Sequence, residues 1–148
     1  MAGKLEVTGY VLDTSVIIKW FSAHGEDDLD SALLLRDGLV SGNCTATVPD
    51  LILYELANAL RHNPNFTSDD VKDAVAAVDD MGFAVRCADA AVMARAVETA
   101  FAYNVTVYDA YFLALAESEG TAFVTADYRF FERVKKAGNI VRLDRLYR

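Results

Sequence analysis

Short β-rich apolar runs alternate with segments of helical spacing along nearly the whole chain, and the links between them are short. Residues 7–12, 44–48, 83–87, 121–125 and 140–143 read as strands. Helices are expected over 14–21, 27–40, 49–62, from Thr67 or Ser68 to a stop at Gly82, from an Asp89 cap to Tyr103, over 109–118 and over 127–137. Leu29, Leu33 and Leu34 form the apolar face of the second helix. Ile52, Leu56, Ala59 and Leu60 form that of the third, with Pro49 in its first turn, where a missing N–H costs nothing. Val71, Val75 and Val78 mark the next stripe. Parallel strands need long crossovers, which helices supply, so this rhythm predicts an α/β fold with a mainly parallel sheet covered on both faces.

The rest of the composition agrees with such a fold. The chain has 148 residues, 53% of them hydrophobic, enough for a single domain over residues 1–148 with its own core. No apolar run approaches the roughly 18 residues a membrane span requires, and residues 1–6 lack the build of a secretory signal. A cytosolic protein with no membrane partner is expected. Cys44 and Cys87 lie at strand edges without metal-ligand spacing, and they are expected to be buried free thiols.

The net charge is −8, which by itself disfavours a nucleic-acid partner. Its distribution is uneven. Residues 127–148 hold seven basic and three acidic side chains, while the remainder holds seven basic and nineteen acidic ones. The basic residues Arg129, Arg133 and Lys136 are expected along one side of the helix that starts at Asp127. That segment fits either a phosphate-holding face or an ordinary solvated surface.

Four acidic residues lie where an apolar strand is expected to give way to a helix: Asp13 in Tyr10-Val11-Leu12-Asp13-Thr14-Ser15, Glu55 after Pro49-Asp50-Leu51-Ile52-Leu53-Tyr54, Asp109 after Val107-Tyr108, and Asp127 after Phe123-Val124-Thr125-Ala126. In an α/β fold the carboxyl ends of the strands open onto one crevice. Carboxylates gathered there repel one another, and a hard divalent cation such as Mg²⁺ or Mn²⁺ relieves that repulsion. The pattern points to metal-assisted phosphodiester cleavage. Taken singly, each acid has a plainer reading. Asp13, Asp109 and Asp127 fit helix caps. Glu55, inside an apolar helix, needs a cation, an Arg or Lys such as Arg61 or Lys19, or a route to solvent.

These residues carry a resemblance to a known family. Val11-Leu12-Asp13-Thr14-Ser15-Val16, Pro49 followed by Glu55 and Asn58-Ala59-Leu60, Tyr108-Asp109-Ala110 with Leu113-Ala114-Leu115-Ala116, and Val124-Thr125 with Asp127 and Phe130 resemble, in order, the four motifs of the PIN domain. The likeness is to the VapC-type toxins of toxin–antitoxin pairs. It implies a PIN-like three-layer sandwich and an acidic pocket of Asp13, Glu55, Asp109 and Asp127. Asp13, Asp109 and Asp127 would hold Mg²⁺ or Mn²⁺, and Glu55 would be a further ligand or would orient water. Ser15 and Thr125, and less directly Thr14 and Asn58, would support them. The resemblance further implies cleavage of single-stranded or structured RNA, a cognate antitoxin protein that inhibits the site, and a homodimer. Apolar helices over 27–40 and 49–63 offer the dimer surface.

Rival readings meet specific obstacles. A haloacid-dehalogenase-type phosphatase needs an Asp where Ser15 stands. A phosphoacceptor receiver needs an acidic pair at the first strand and a late strand-end Lys, and neither is present. His24 and His62 sit at loop or helix-end positions without a matching nucleophile. The alternative from another class is a non-catalytic PIN-like module whose acidic pocket binds a basic partner segment.

Overall fold

The structure, a computed structural model, describes residues 7–147. The reading of residues 1–6 and the contribution of Arg148 to the basic tail lie outside those residues. Five strands form one parallel sheet: β1 (Thr8–Leu12), β2 (Cys44–Pro49), β3 (Ala84–Arg86), β4 (Ala122–Thr125) and β5 (Ile140–Arg142), in the order β3-β2-β1-β4-β5. The helices are α1 (Thr14–Ile17), α2 (Leu29–Ser41), α3 (Leu51–Arg61), α4 (Ser68–Asp80), α5 (Ala90–Tyr103), α6 (Val107–Glu119) and α7 (Tyr128–Val134). Right-handed crossovers place α1–α4 on one face of the sheet and α5–α7 on the other, the three-layer α/β sandwich anticipated from the sequence.

The central strands are apolar on both faces because both are covered. Val11 and Leu12 of β1 and Phe123 and Val124 of β4 are all buried. Phe123 stacks on Phe112 of α6 and meets Phe130 of α7 edge-on, which fixes both helices to the same side. α6 is buried continuously from Ala110 to Ala116, as expected of a helix that is apolar all round. Caps define several boundaries. Thr67 and Asp70 form a reciprocal capping box at α4, and the Asp89 carboxylate accepts from the N–H groups of Ala91 and Val92 at α5.

Several expected boundaries shift. Pro49 ends β2, paired in register with Arg86, and α3 starts only at Leu51. The segment 14–21 divides into α1 and a 3-10 turn, Ile18–Trp20. α7 stops at Val134, so Lys136 lies past its end and does not share a helix face with Arg129 and Arg133. The α2 core face runs through Ala32 and Leu35, leaving Leu33 and Leu34 36% and 53% exposed. The Trp20 indole donates to the Ala32 carbonyl at 2.8 Å. The cysteines are free, but Cys44 is half-buried and Cys87 exposed. Cys87 follows the short edge strand β3, where little covers it.

Candidate active site

The sheet order reverses between β1 and β4. The chain leaves β1 toward β2 on one side and leaves β4 toward β5 on the other. The crevice at such a switch point is where open α/β sheets bind ligands. Asp13 is the first residue after β1, and Asp127 comes two residues after β4.

Asp13 occupies the N-cap position of α1, yet its carboxylate caps nothing. Its Oδ2 instead accepts from the Ser15 hydroxyl at 2.8 Å and the Thr125 hydroxyl at 2.7 Å. The same hydroxyls reach across the crevice. Ser15 Oγ accepts the Ala126 N–H at 3.0 Å and Thr125 Oγ1 accepts the Asp127 N–H at 3.0 Å. Both supporting residues expected from the sequence therefore belong to one network that joins the β1–α1 turn to the β4–α7 turn. Asp127 caps α7, its Oδ1 accepting from the Phe130 N–H at 3.1 Å. The cap reading thus holds for Asp127 and fails for Asp13.

Glu55 lies one turn into α3 and is half-buried. Its Oε1 accepts from the Thr14 hydroxyl at 3.1 Å. Neither cation considered from the sequence pairs with it. Lys19 is buried and donates to Glu26 at 2.7 Å and to the Asp27 carbonyl at 2.6 Å. Arg61 lines a separate cavity between α3 and α4, as does Asn58.

Asp109 does not follow a strand. The β-branched Val105-Thr106-Val107 run is overridden: Asn104 closes α5 in a left-handed conformation (φ 54°), and Thr106 caps α6 at once. The Thr106 hydroxyl accepts the Asp109 N–H at 3.1 Å, so Thr106 is the cap, and the same side chain favours the charged form of the Asp109 carboxylate. His24 and His62 are both exposed.

The electrostatics join the four acids. Burial, with a smaller push from Asp109 and Asp127, outweighs the two hydroxyl donors and raises Asp13 to about 6. Burial also raises Glu55 to about 7, helped by Asp13 and Asp109 and opposed by Thr14. Asp109 is raised by burial and by Asp127. Asp13 thus feels Asp109 and Asp127, Glu55 feels Asp13 and Asp109, and Asp109 feels Asp127, with no ion pair to any of the four among the described residues. A gathering of like charges without an internal counterion suits an external cation, and a set of oxygen donors suits a hard one. Among the described residues no group of three or more His, Cys, Asp or Glu side chains is gathered closely enough to hold a metal ion by itself. An ion held here would take few carboxylate oxygens directly and would have to keep several of its own waters, as Mg²⁺ does.

Comparison with known proteins places this geometry. No curated protein sequence matches the chain. Similar solved structures include VapBC2 from Rickettsia felis bound to a DNA fragment from its promoter, at 15% identity and a TM-score of 0.68, covering 91% of this chain and 98% of that one. A toxin–antitoxin complex from Klebsiella pneumoniae is 13% identical with a TM-score of 0.67, covering 90% and 97%. VapC20 from Mycobacterium tuberculosis, a sarcin-ricin loop cleaving toxin, is 17% identical with a TM-score of 0.63, covering 79% and 87%. At these identities the likeness is one of fold. The model of the PIN domain matches residues 10–137, a span that takes in all four acids, and the chain therefore belongs to the PIN domain family.

Proposed function

We propose that this protein is a metal-dependent endoribonuclease and the toxin of a VapBC-type toxin–antitoxin pair, acting in the cytosol. The observation that carries the reading is the cluster of Asp13, Glu55, Asp109 and Asp127 at the switch point of the sheet, with no basic partner among the described residues. Asp13, Asp109 and Asp127 would hold a Mg²⁺ or Mn²⁺ ion, partly through water. Such an ion, when bound, lowers the pKa of water and neutralises charge on phosphoryl oxygens. Ser15 and Thr125 orient the Asp13 carboxylate, fixing which of its oxygens stays free. Glu55, poised at about 7, suits a group that takes or orients a proton of the attacking water near neutral pH.

The resemblance of the fold to VapBC complexes supports an antitoxin partner. Exposed Leu34 and Val40 on α2 support a homodimer through that helix. Among the described residues no helix is long and apolar enough to cross a membrane.

The test is RNA cleavage by the purified chain with and without Mg²⁺ or Mn²⁺, for the wild type and for Asp13→Asn with its fold checked by circular dichroism. Cleavage should require the metal and vanish in the variant. An intact chain that binds metal but cleaves no RNA would overturn the nuclease reading and leave a non-catalytic acidic pocket for a basic partner segment.

A further inference from the structure

A cavity of about 560 Å³ opens beside the acidic cluster, between the starts of α3 and α6 and the first turn of α5. That volume lies within the roughly 300–1,000 Å³ usual for small-ligand sites. Two of its walls are Tyr54 and Tyr108, which are 76% and 66% exposed. Each immediately precedes an acid of the cluster, Glu55 or Asp109. Successive helical residues point about 100° apart, so each helix turns its acid toward the cluster and its tyrosine toward the cavity. Both rings line this one cavity, which places them on the same side of the crevice. Neither ring makes an aromatic contact or a hydrogen bond among the described residues.

Asp50, also on the cavity wall, uses its backbone N–H to bond the Arg86 carbonyl at 2.9 Å. Its carboxylate has no hydrogen-bond donor and no cation among the described residues. The remaining surface is largely apolar, from Leu51, Met93 and Val107. A site with two open aromatic faces, an apolar floor and one acceptor-only group is a poor match for a phosphate. It suits a flat heterocycle that carries N–H donors.

We propose that this cavity is a nucleobase subsite: it takes one unpaired base of the RNA beside the scissile phosphate, stacked on Tyr54 and Tyr108 and read by the Asp50 carboxylate. The inference rests on the ribonuclease reading. Stacking accepts any base, whereas Asp50 selects for an exocyclic amino group. Cytosine, adenine and guanine offer one. Uracil presents carbonyl oxygens on either side of its single ring N–H, so the subsite discriminates against it.

The experiment uses the full chain. Wild-type cleavage of single-stranded RNA is mapped first; if no RNA is cut in the presence of Mn²⁺, the nuclease reading fails and the subsite with it. Given a cut site, affinities are measured in an Asp13→Asn background for oligonucleotides with one abasic residue stepped across that site. One abasic position should weaken binding about ten-fold, on the scale of one base–aromatic stack. That penalty should disappear in Tyr54→Ala and Tyr108→Ala and persist in the Phe variants. Tyr54→Leu and Tyr108→Leu keep apolar volume without the flat face and should behave as the Ala variants do. Asp50→Asn should shrink the preference for cytidine over uridine at the same position. Cleavage that persists while every variant keeps the full abasic penalty would overturn the subsite alone. The same penalties combined with loss of a dimer in the Ala variants would assign the cavity wall to contact with a second copy.

Discussion

Asp13 and Asp127 leave neighbouring strands and share one hydroxyl network, whereas Glu55 and Asp109 ride on helices and touch no common side chain. The strand-borne pair is positioned by the sheet. Asp13 N–H extends the β1–β4 ladder to the Val124 carbonyl at 3.0 Å, and the Ser15 and Thr125 hydroxyls each donate to Asp13 and accept a backbone N–H of the β4–α7 turn. The helix-borne pair depends on the rotation of α3 and α6. Glu55 has a single hydroxyl donor and lies at about 7, against about 6 for Asp13. The difference suggests a division of labour, with a rigid frame on the strand side and an adjustable, proton-responsive side on the helices.

The sharpest way to break this comparison is to neutralise one acid from each half. Asp13→Asn should cost more than about 100-fold in RNA cleavage, above the range for groups that only orient a metal ligand. It should also abolish stabilisation by Mn²⁺. Glu55→Gln should lower cleavage by a similar factor but keep most of the metal-induced rise in melting temperature. If both variants lose the metal response equally, Glu55 is a ligand and the proposed division fails.

The hydroxyls that support each half give a smaller contrast. Thr125→Val removes a bond to Asp13 and the acceptor for the Asp127 N–H, inside a fully buried site. It should reduce cleavage about 10–100-fold, the range for groups that orient metal ligands. Thr14→Val removes only the bond to Glu55 and should cost less. Its clearer effect should be a rise in the apparent pKa of the lower limb of the pH–rate profile, because the bond it deletes favours the charged form. Equal losses from both variants would mean the strand side is no more dependent on its frame than the helix side.

Stability against pH tests the cluster as a whole. Asp13 and Glu55 keep their protons to about 6 and about 7 in the fold, while in the unfolded chain they ionise near 3.8 and 4.5. Between those limits the unfolded state binds fewer protons, so their contribution to stability falls as pH rises from about 4 to about 7 and then levels. A divalent cation competes with those protons, so Mn²⁺ should raise the melting temperature more at pH 8 than at pH 5. At a hundred-fold excess over its Kd the ion contributes about 2.7 kcal/mol, or roughly 5–10 °C for a domain of this size. A metal response that is the same at both pH values would separate metal binding from the titrating acids.

The sequence made the alternation of elements, the parallel sheet and the four acids legible, because burial on both faces writes β1 and β4 as apolar runs and an acid after such a run stands out. Ser15 and Thr125 were legible only through family resemblance; nothing in their local spacing shows that two hydroxyls 110 residues apart meet over one carboxylate. The helical start before Asp109 was hidden because Val105, Thr106 and Val107 favour strands intrinsically, and only the left-handed Asn104 and the Thr106 cap reverse that preference. The α2 face was misread because Leu33 and Leu34 are more apolar than Ala32, yet Ala32 and Leu35 are the side chains that the fold buries. Thr14 as the partner of Glu55, in place of Lys19 or Arg61, likewise required the packing of α1 against α3.

The basic C-terminal segment offers the smallest expected effect, and it bears on which half of the site receives the RNA backbone. Seen in the fold, that segment is far from uniformly free. Arg142 is held by Asp144 at 2.8 Å and lies 4.2 Å from the Tyr128 ring centre, Lys135 pairs with Glu132 at 2.7 Å, and Arg133 donates to the Asn104 carbonyl at 2.8 Å. Arg129, exposed in the first turn of α7 two residues after Asp127, has no such partner among the described residues. It is therefore the side chain best placed to meet a phosphate entering from the strand side. Arg129→Glu should weaken RNA binding and make the slope of log affinity against log salt shallower by about 0.7, the value for one phosphate contact on a single strand. Lys135→Glu should change it less, since that ammonium is already engaged. The comparison is made in an Asp13→Asn background across a salt series. Equal slopes for Arg129→Glu and its parent would mean that RNA approaches from the helix side, past Tyr54 and Tyr108, and that the face of α7 is solvated surface.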